Sequence, residues 1–293
     1  MLGPIENFLR RRDLLGVTEK AHCNISFGKS TSVQVLVENG YHLHLKISTG
    51  ASLMKEYETL KEVYAVLPKI VPKPIALEKI GLRDVIISEG VKHGILNKFD
   101  SLTINKQIIE TFNKVNEVSL KHFLEKKPKK NHAAMVNDSA LTLNQLDLAQ
   151  PLNKWLSEFD FSPLKNIPYV KQHGDLASNN VGVYKKDIYI FDWEDFGRVL
   201  LPGYDMFLFA FTYYKLDLDK MDFFILSKSN NFLNQILKRY FANTGMDIHL
   251  FKKMYVAYII LFLCSKRDLG YSKNAQDQWA HCLRLALDRD GFS

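Results

Sequence analysis

Cysteine and long apolar runs are both scarce in this chain of 293 residues. Its three cysteines, Cys23, Cys264 and Cys282, show no CxxC spacing and are odd in number, a pattern that favours reduced thiols in a cytoplasmic protein. The longest apolar run covers residues 254–264. It is too short to cross a bilayer, so we expect a buried helix there and no transmembrane segment. The first residues carry charge without a continuous apolar stretch, and no secretory signal is predicted.

Acidic residues are outnumbered, with 32 Asp and Glu against 39 Lys and Arg, which gives a net charge of +7. A positive balance favours anionic partners such as nucleotides, nucleic acid, anionic lipid or phosphorylated metabolites. Part of the excess lies in KHFLEKKPKKNH, residues 121–132, which fits either a solvated loop or a patch for nucleic acid or a membrane surface. Zinc-finger spacing, an RNP-like aromatic pattern and an arginine-rich helix are all missing, so no nucleic-acid partner is predicted.

A chain of this length is expected to form two lobes. Apolar residues repeat mainly with the period of strands in the first lobe and with the period of helices in the second. We place the first at residues 1–90 and the second at residues 91–293. The elements predicted for the first lobe are a helix at 5–15, strands on both sides of Gly28, Asn39-Gly40 and Gly81, and a helix at 51–67 that Pro68 ends. Those predicted for the second are helices at 101–124, 141–159, 204–214, 222–243, 249–267 and 274–289, and strands near 181–184 and 188–191.

Polar groups gather in one stretch of the second lobe, QHGDLASNNVGVYKKDIYIFDWED, residues 172–195. Asp175 lies in a tight turn, Asn180 immediately precedes a strand, and Asp192 ends the apolar strand IYIF. A carboxylate at the end of a buried strand must be hydrogen-bonded, paired or bound to a metal. Oxygen ligands from Asp and Asn suit Mg²⁺ better than zinc. Asp175 would then remain available to accept a proton from an incoming hydroxyl, the arrangement that phosphoryl transfer needs.

HGDLASNN and IFDWED resemble the HGDxxxxN catalytic loop and the DWE metal segment of the aminoglycoside phosphotransferase/choline kinase superfamily. The resemblance implies an α+β, protein-kinase-like bilobal fold, in which a small antiparallel-sheet lobe with one long helix precedes a larger, mainly helical lobe. It also implies Asp175 as the catalytic residue, Asn180 and Asp192 as ligands of Mg²⁺, and ATP as co-substrate, with GTP as an alternative.

Neighbouring residues of these motifs are given supporting roles by the same resemblance. PGYDMFLF is similar to the segment that follows the DWE motif in the family, so we expect Asp205 to hold the catalytic loop through hydrogen bonds. His173 and Trp193 are expected to pack beneath the loop. For Glu194, contact with metal or substrate and a position in solvent are both open.

The first lobe has to supply the nucleotide-binding groups of such a fold. LHLKI places Lys46 in a strand, and a lysine there is costly to bury unless it is paired; its kinase-like role is to hold the α- and β-phosphates. Glu56, one turn before Leu60, resembles the family's E-x-x-x-L helix and is expected to pair with Lys46, with Glu58 as the alternative.

The phosphate-covering turn is assigned by resemblance to residues 26–32, where Ser26 and Gly28 would approach the nucleotide phosphates. The adenine is expected at the crossover, residues 88–91. GKST within this turn also looks like the end of a Walker A motif, but Cys23 stands where that motif needs its first glycine and the segment continues into a strand. The Walker A interpretation is therefore rejected.

The acceptor is the least determined part of the prediction. The DWE-then-YDxFxF ending resembles family members associated with bacterial surface-glycan synthesis, so the resemblance implies a small-molecule hydroxyl on a sugar or glycan precursor. Choline, ethanolamine and aminoglycosides are alternative acceptors, and a non-catalytic kinase-fold binding protein is the alternative class. No activation-loop signature such as APE follows the DWE segment, which disfavours a protein substrate.

Overall fold

The computed structural model describes residues 2–16, 21–27, 31–37, 42–48, 50, 52–90, 102–143, 148–184, 187–221, 238–268 and 273–289. The chain divides into two compact units. The first unit comprises Met1–Asp100 and Asn179–Glu194, and the second comprises Ser101–Ser178 and Asp195–Ser293. The domain boundary expected near residue 90 stays a prediction.

Among the described residues, strands predominate before residue 90 and helices predominate after it. The helices are α1 Leu2–Arg11, α2 Met54–Val66, α3 Leu102–His122, α4 His132–Thr142, α5 Ala149–Glu158, α6 Tyr204–Tyr213, α7 Ile248–Lys253, α8 Tyr255–Asp268 and α9 Lys273–Arg289. The strands are β1 Ala21–Phe27, β2 Thr31–Val37, β3 His42–Ile47, β4 Pro74–Ile80, β5 Arg83–Glu89, β6 Val181–Tyr184 and β7 Asp187–Ile190. Short 3₁₀ turns cover Ser162–Asn166, Ser178–Asn180 and Trp193–Asp195.

A five-stranded antiparallel sheet of order β1-β2-β3-β5-β4 forms the core of the first unit. Successive side chains of a strand point to opposite faces, so the alternating apolar residues of β2 and β3 meet on one face. Phe8 and Leu9 of α1 are buried in the same cluster. The buried strand residues of the cluster are Val33, Val35, Val37, Leu43, Leu45, Ile47, Val85 and Ile87.

Two further elements complete the first unit. Helix α2 stops at Val66 because Pro68 disfavours helical geometry at the residue before it, and the Leu67 amide bonds back to the Val63 carbonyl at 2.9 Å. The β6–β7 hairpin is tied to this unit by the Ile190 amide, which donates to the carbonyl of Ile70 at 2.8 Å.

Helix α8 is the centre of the second unit and contacts α4, α6, α7 and α9. Residues 254–263 are all buried, as expected for a helix that is apolar on every side. The Tyr258 hydroxyl donates to the carbonyl of Pro202 at 2.8 Å, which joins α8 to the segment before α6. None of the described helices is long and apolar enough to span a bilayer.

The α+β, kinase-like architecture predicted from sequence is confirmed, and several element boundaries differ. The helix predicted at 141–159 is confirmed over Ala149–Glu158, but its start is wrong: residues 141–142 end α4, which begins at His132, where the Asn131 side chain accepts from the Ala134 amide at 2.7 Å. The helix predicted at 249–267 is broken at Met254 between α7 and α8. Helix α1 begins and ends earlier than the predicted 5–15. Most of the helix predicted at 222–243 lies outside the described residues, whereas 238–242 are helical.

Candidate active site

The loop that carries Asp175 is anchored by the first turn of α6. The Asp205 carboxylate accepts from the His173 amide at 2.6 Å and from the Gly174 amide at 3.1 Å. Burial raises the pKa of Asp205, and the charge of His173 and the two backbone hydrogen bonds oppose that rise. Asp205 thus has the hydrogen bonds predicted for it from sequence.

Gly174 is required in this loop by both its backbone conformation and a close contact. Its φ is +87°, and a Cβ atom there would lie 2.4 Å from the carbonyl oxygen of Asp195. At the other end of the loop, the Thr212 hydroxyl accepts from the Ser178 amide at 2.8 Å and donates to the Leu208 carbonyl at 2.8 Å. The loop is therefore fixed on both sides of Asp175.

The carboxylate of Asp175 forms an ion pair with Lys266 of α8. The Lys266 Nζ lies 2.6 Å from Asp175 Oδ1, and the two side chains are 6% and 17% exposed. The backbone amide of Asp175 donates to Nδ1 of His173 at 3.2 Å, and His173 is buried. Lys266 was not among the residues predicted from sequence, since no local pattern relates it to Asp175, 91 positions away.

Acidic groups surround the buried ring of Tyr204 in this part of the second unit. Burial raises the pKa of the Tyr204 hydroxyl, and Asp175, Asp205 and Asp195 raise it further. Asp195 is almost fully buried and pairs with Arg198 at 3.0 Å. Three aspartates therefore act on the Tyr204 hydroxyl, and two of them, Asp175 and Asp195, have a basic partner.

The first unit brings Lys46 together with three carboxylates. Its Nζ lies 2.8 Å from Glu56, 2.9 Å from Asp192 and 2.6 Å from Glu194. Burial alone would lower the pKa of Lys46, but the neighbouring carboxylates raise it above its ordinary value, so the ammonium stays charged. Glu58 instead lies 3.3 Å from Lys61 on the exposed part of α2, which identifies Glu56 as the partner of Lys46.

Oxygen donors suited to a divalent cation converge at the same place. Ligand atoms of Glu56, Asp192 and Glu194 all lie within 4.8 Å of one another, and carboxylate oxygens are what Mg²⁺ prefers. Asp192 has a positive φ of 61°, a backbone conformation that costs energy in a residue other than glycine and is common at functional sites. The donor set therefore fits Mg²⁺.

Asn180 closes the short turn before β6 in the same unit. Its side-chain oxygen accepts from the side-chain amide of Asn179 at 3.1 Å, and its backbone carbonyl accepts from the backbone amide of Phe191 at 2.9 Å. The second bond ties Asn180 to the residue before Asp192. The buried Trp193 donates through Nε1 to the carbonyl of Ile190 at 3.0 Å, which fixes the segment that carries Asp192 and Glu194.

The structure says less about the predicted phosphate-covering turn. The backbone of Ser26 pairs with Ser32 across β1 and β2, but the Ser26 side chain and all of Gly28 lie outside the described residues. At the expected nucleotide-base position, Ser88 is buried on β5, and Val91 is likewise outside the described part of the chain.

Comparison with known proteins identifies the fold. No family model and no curated protein matches the sequence. Among solved structures, macrolide 2'-phosphotransferase type I is 15% identical with a TM-score of 0.60, covering 98% of this chain and 96% of that one. A choline kinase from Cryptosporidium parvum Iowa II is 13% identical with a TM-score of 0.61, covering 100% and 98%.

An aminoglycoside phosphotransferase, solved as a thermostable mutant in a ternary complex with ADP and hygromycin B, is also similar. It is 13% identical with a TM-score of 0.60, and the match covers 97% of each chain. These matches confirm that the chain has the fold of these phosphotransferases and kinases, as the motifs predicted.

Proposed function

We propose that the protein is an ATP- and Mg²⁺-dependent phosphotransferase that transfers the γ-phosphoryl group to a hydroxyl of a small molecule. The observation that carries this proposal is the position of Lys46, within hydrogen-bonding distance of Glu56, Asp192 and Glu194. A lysine positioned by a helix glutamate, beside the carboxylate that follows the catalytic loop, is the arrangement that kinases use to hold a nucleotide and its metal.

Lys46 would orient the α- and β-phosphates of ATP, and Glu56 would hold the lysine in place. Asn180 and Asp192 would bind Mg²⁺, with Glu194 as a further oxygen donor. When bound, Mg²⁺ neutralises charge on the nucleotide phosphates. The solved complex of a similar fold with ADP supports a nucleotide as one substrate.

Asp175 would act as the proton acceptor. The acceptor hydroxyl oxygen forms a bond to the γ-phosphorus while the bond from that phosphorus to the β,γ-bridging oxygen breaks, and ADP leaves. The hydroxyl proton passes to the Asp175 carboxylate. The bonds from Asp205 to the loop hold Asp175 ready for that transfer, and because the groups are positioned beforehand the barrier is lower.

A neutral sugar or surface-glycan precursor is the acceptor that the charges favour. The ammonium of Lys266 lies beside the Asp175 carboxylate and offsets its charge, so this carboxylate attracts the cationic group of choline or an aminoglycoside less strongly. An aromatic cage for a quaternary ammonium is also not supported by the aromatic residues of α6 to α8, which pack in the core. The buried ones are Tyr204, Phe207, Phe209, Phe211, Phe251, Tyr255, Tyr258 and Phe262.

We further propose that the reaction takes place in the cytoplasm, where ATP and reduced thiols are available. Cys23, Cys264 and Cys282 are all free of disulfide bonds, which agrees with such a compartment.

Nucleotide binding is tested by thermal unfolding with ATP or GTP, each with Mg²⁺ or with EDTA. At a hundredfold excess over Kd, MgATP is expected to stabilise the wild type by about 2.7 kcal/mol. Lys46→Met should lose this stabilisation, whereas the control Lys61→Met, which removes an exposed lysine of α2, should keep it. A wild type that MgATP does not stabilise, or a Lys46→Met variant that it stabilises normally, would contradict the proposal.

Acceptor choice is tested by measuring ADP release with candidate acceptors and identifying phosphorylated products by mass spectrometry. Neutral sugars and glycan precursors are compared with choline, ethanolamine and aminoglycosides. Turnover with neutral acceptors is expected. Exclusive use of cationic acceptors would overturn the acceptor class while leaving the phosphotransferase in place, and nucleotide binding without any turnover would favour the binding-protein alternative.

A further inference from the structure

The ammonium of Lys266 has no part in the phosphotransfer steps described above, although it contacts the proposed proton acceptor. Lys266 is 5% exposed and lies near the C-terminal end of α8. Its Nζ is 2.6 Å from Asp175 Oδ1 and 5.6 Å from the ring centre of Phe262. A buried ammonium without an oppositely charged partner is strongly unfavourable. Asp175 supplies that partner for Lys266.

The other groups that face Asp175 are mostly acidic or neutral. Helix α6 contributes Tyr204 and Asp205, which both interact electrostatically with Asp175, and Asp195 and Cys264 lie near the same Tyr204 hydroxyl. His173 lies on the same loop and accepts from the Asp175 amide. Nearby carboxylates favour the protonated form of Asp175, whereas an ammonium within hydrogen-bonding distance favours the ionised form. Lys266 opposes the effect of the surrounding acids.

We propose that Lys266 is a positioning residue of the phosphotransfer site, which keeps Asp175 anionic and holds its carboxylate in one orientation. This role rests on the proposed function, because it concerns the proton acceptor of that reaction.

Loss of the ammonium has a defined consequence for the pH dependence of turnover. Without Lys266, the neighbouring acids raise the pKa of the Asp175 carboxyl, and a larger fraction of it is protonated at a given pH. Since only the ionised carboxylate accepts the proton, the acidic limb of the kcat profile moves to higher pH. An opposite charge at this distance changes a carboxyl pKa by about 1–3 units.

The test compares Lys266→Met and Lys266→Arg with the wild type from about pH 5 to about pH 9. Lys253→Met, which removes an exposed lysine of α7, is the matched control. In Lys266→Met we expect the acidic limb of the kcat–pH profile to move to higher pH by about 1–3 units. We also expect kcat at neutral pH to fall about tenfold or more. KM for ATP should change by less than about twofold. Lys266→Arg should restore the limb, and Lys253→Met should match the wild type.

A second measurement does not depend on turnover. The Asp175 carboxyl is titrated by ¹³C NMR in the wild type and in Lys266→Met, with its signal assigned from Asp175→Asn, and melting curves confirm that each variant is folded. A raised midpoint in Lys266→Met supports the proposal even if the phosphotransferase assignment fails for lack of wild-type turnover. An unchanged midpoint, or a loss of kcat that is equal at every pH and is not restored by arginine, would overturn it.

Discussion

Two carboxylates of the proposed site are each positioned by one residue that has a positive φ. Asp192 itself has a positive φ, whereas Asp175 follows Gly174, which has the positive φ and the close approach to Asp195. An aspartate tolerates the left-handed region better than most residues, but only glycine also removes the Cβ atom. The glycine of HGD is therefore required by sterics, independently of any chemistry.

Gly174→Ala tests that steric requirement. Because its Cβ would meet the Asp195 carbonyl and its φ is positive, the variant is expected to lose about 2–4 kcal/mol of unfolding free energy. Gly245→Ala is the control in the same unit, since its φ is also positive but its Cβ would have an ordinary contact at 3.9 Å; it should lose about 1–2 kcal/mol. Urea unfolding measures both. Equal losses would show that the contact with Asp195 does not matter.

Some contacts between single residues could be predicted from the sequence, and others could not. The pairing of Lys46 with Glu56 could be predicted because both lie at positions defined by a strand and the helix after it. The ion pair between Asp175 and Lys266 could not, because 91 positions separate the two residues and no local pattern relates them. Glu194 was left open, since a sequence motif does not state where a neighbouring side chain points.

Among the elements, strands were predicted better than helix boundaries. Period-2 alternation and turn glycines locate the strands of the sheet directly. Helix α4 was not predicted because its N-cap, Asn131, lies at the end of a lysine-rich stretch that was interpreted as a loop. The break between α7 and α8 was not predicted because apolar residues continue through Met254. The association of β7 with Ile70 depends on one long-range backbone bond, which no short pattern reveals.

The start of α4 gives a prediction about pH and stability. His132 is buried, stacks on Tyr169 with ring centres 4.0 Å apart, and donates through Nε2 to the Ile167 carbonyl at 3.1 Å. Its Nδ1 has no hydrogen-bond partner among the described residues. Burial lowers the pKa of His132, so the folded state binds fewer protons than the unfolded state. Its contribution to stability is present above about pH 6.5 and is lost as pH falls below that value.

We expect the unfolding free energy of the wild type to fall below about pH 6.5 by up to about 1.4 kcal/mol per pH unit from this group. His132→Leu should reduce that slope, whereas His249→Leu, which removes an exposed histidine of α7, should retain it. Urea unfolding at several pH values measures the slopes. The same slope in wild type and His132→Leu would contradict the role of this histidine.

For the whole molecule, each of the two units places a lysine against acidic side chains, Lys46 in the first and Lys266 in the second. The three solved structures compared above are 13–15% identical to the chain, so most of the sequence can change while the fold persists. A fold alone does not define a reaction. The proposal of phosphotransfer therefore depends on Asp175, Lys46 and the carboxylates around Lys46, and not on the overall similarity.

The most direct test of phosphotransfer is the turnover of Asp175→Asn, measured as acceptor-dependent ADP formation with MgATP. Asparagine keeps an oxygen for Lys266 but does not accept the hydroxyl proton. Turnover is expected to fall by about 10²–10⁴-fold, while stabilisation by MgATP stays close to the wild type. The free protein should melt at a lower temperature, because Lys266 loses its charged partner. Asp219→Asn, at an exposed position, is the control and should remain fully active. Wild-type turnover in folded Asp175→Asn would contradict the proposed mechanism.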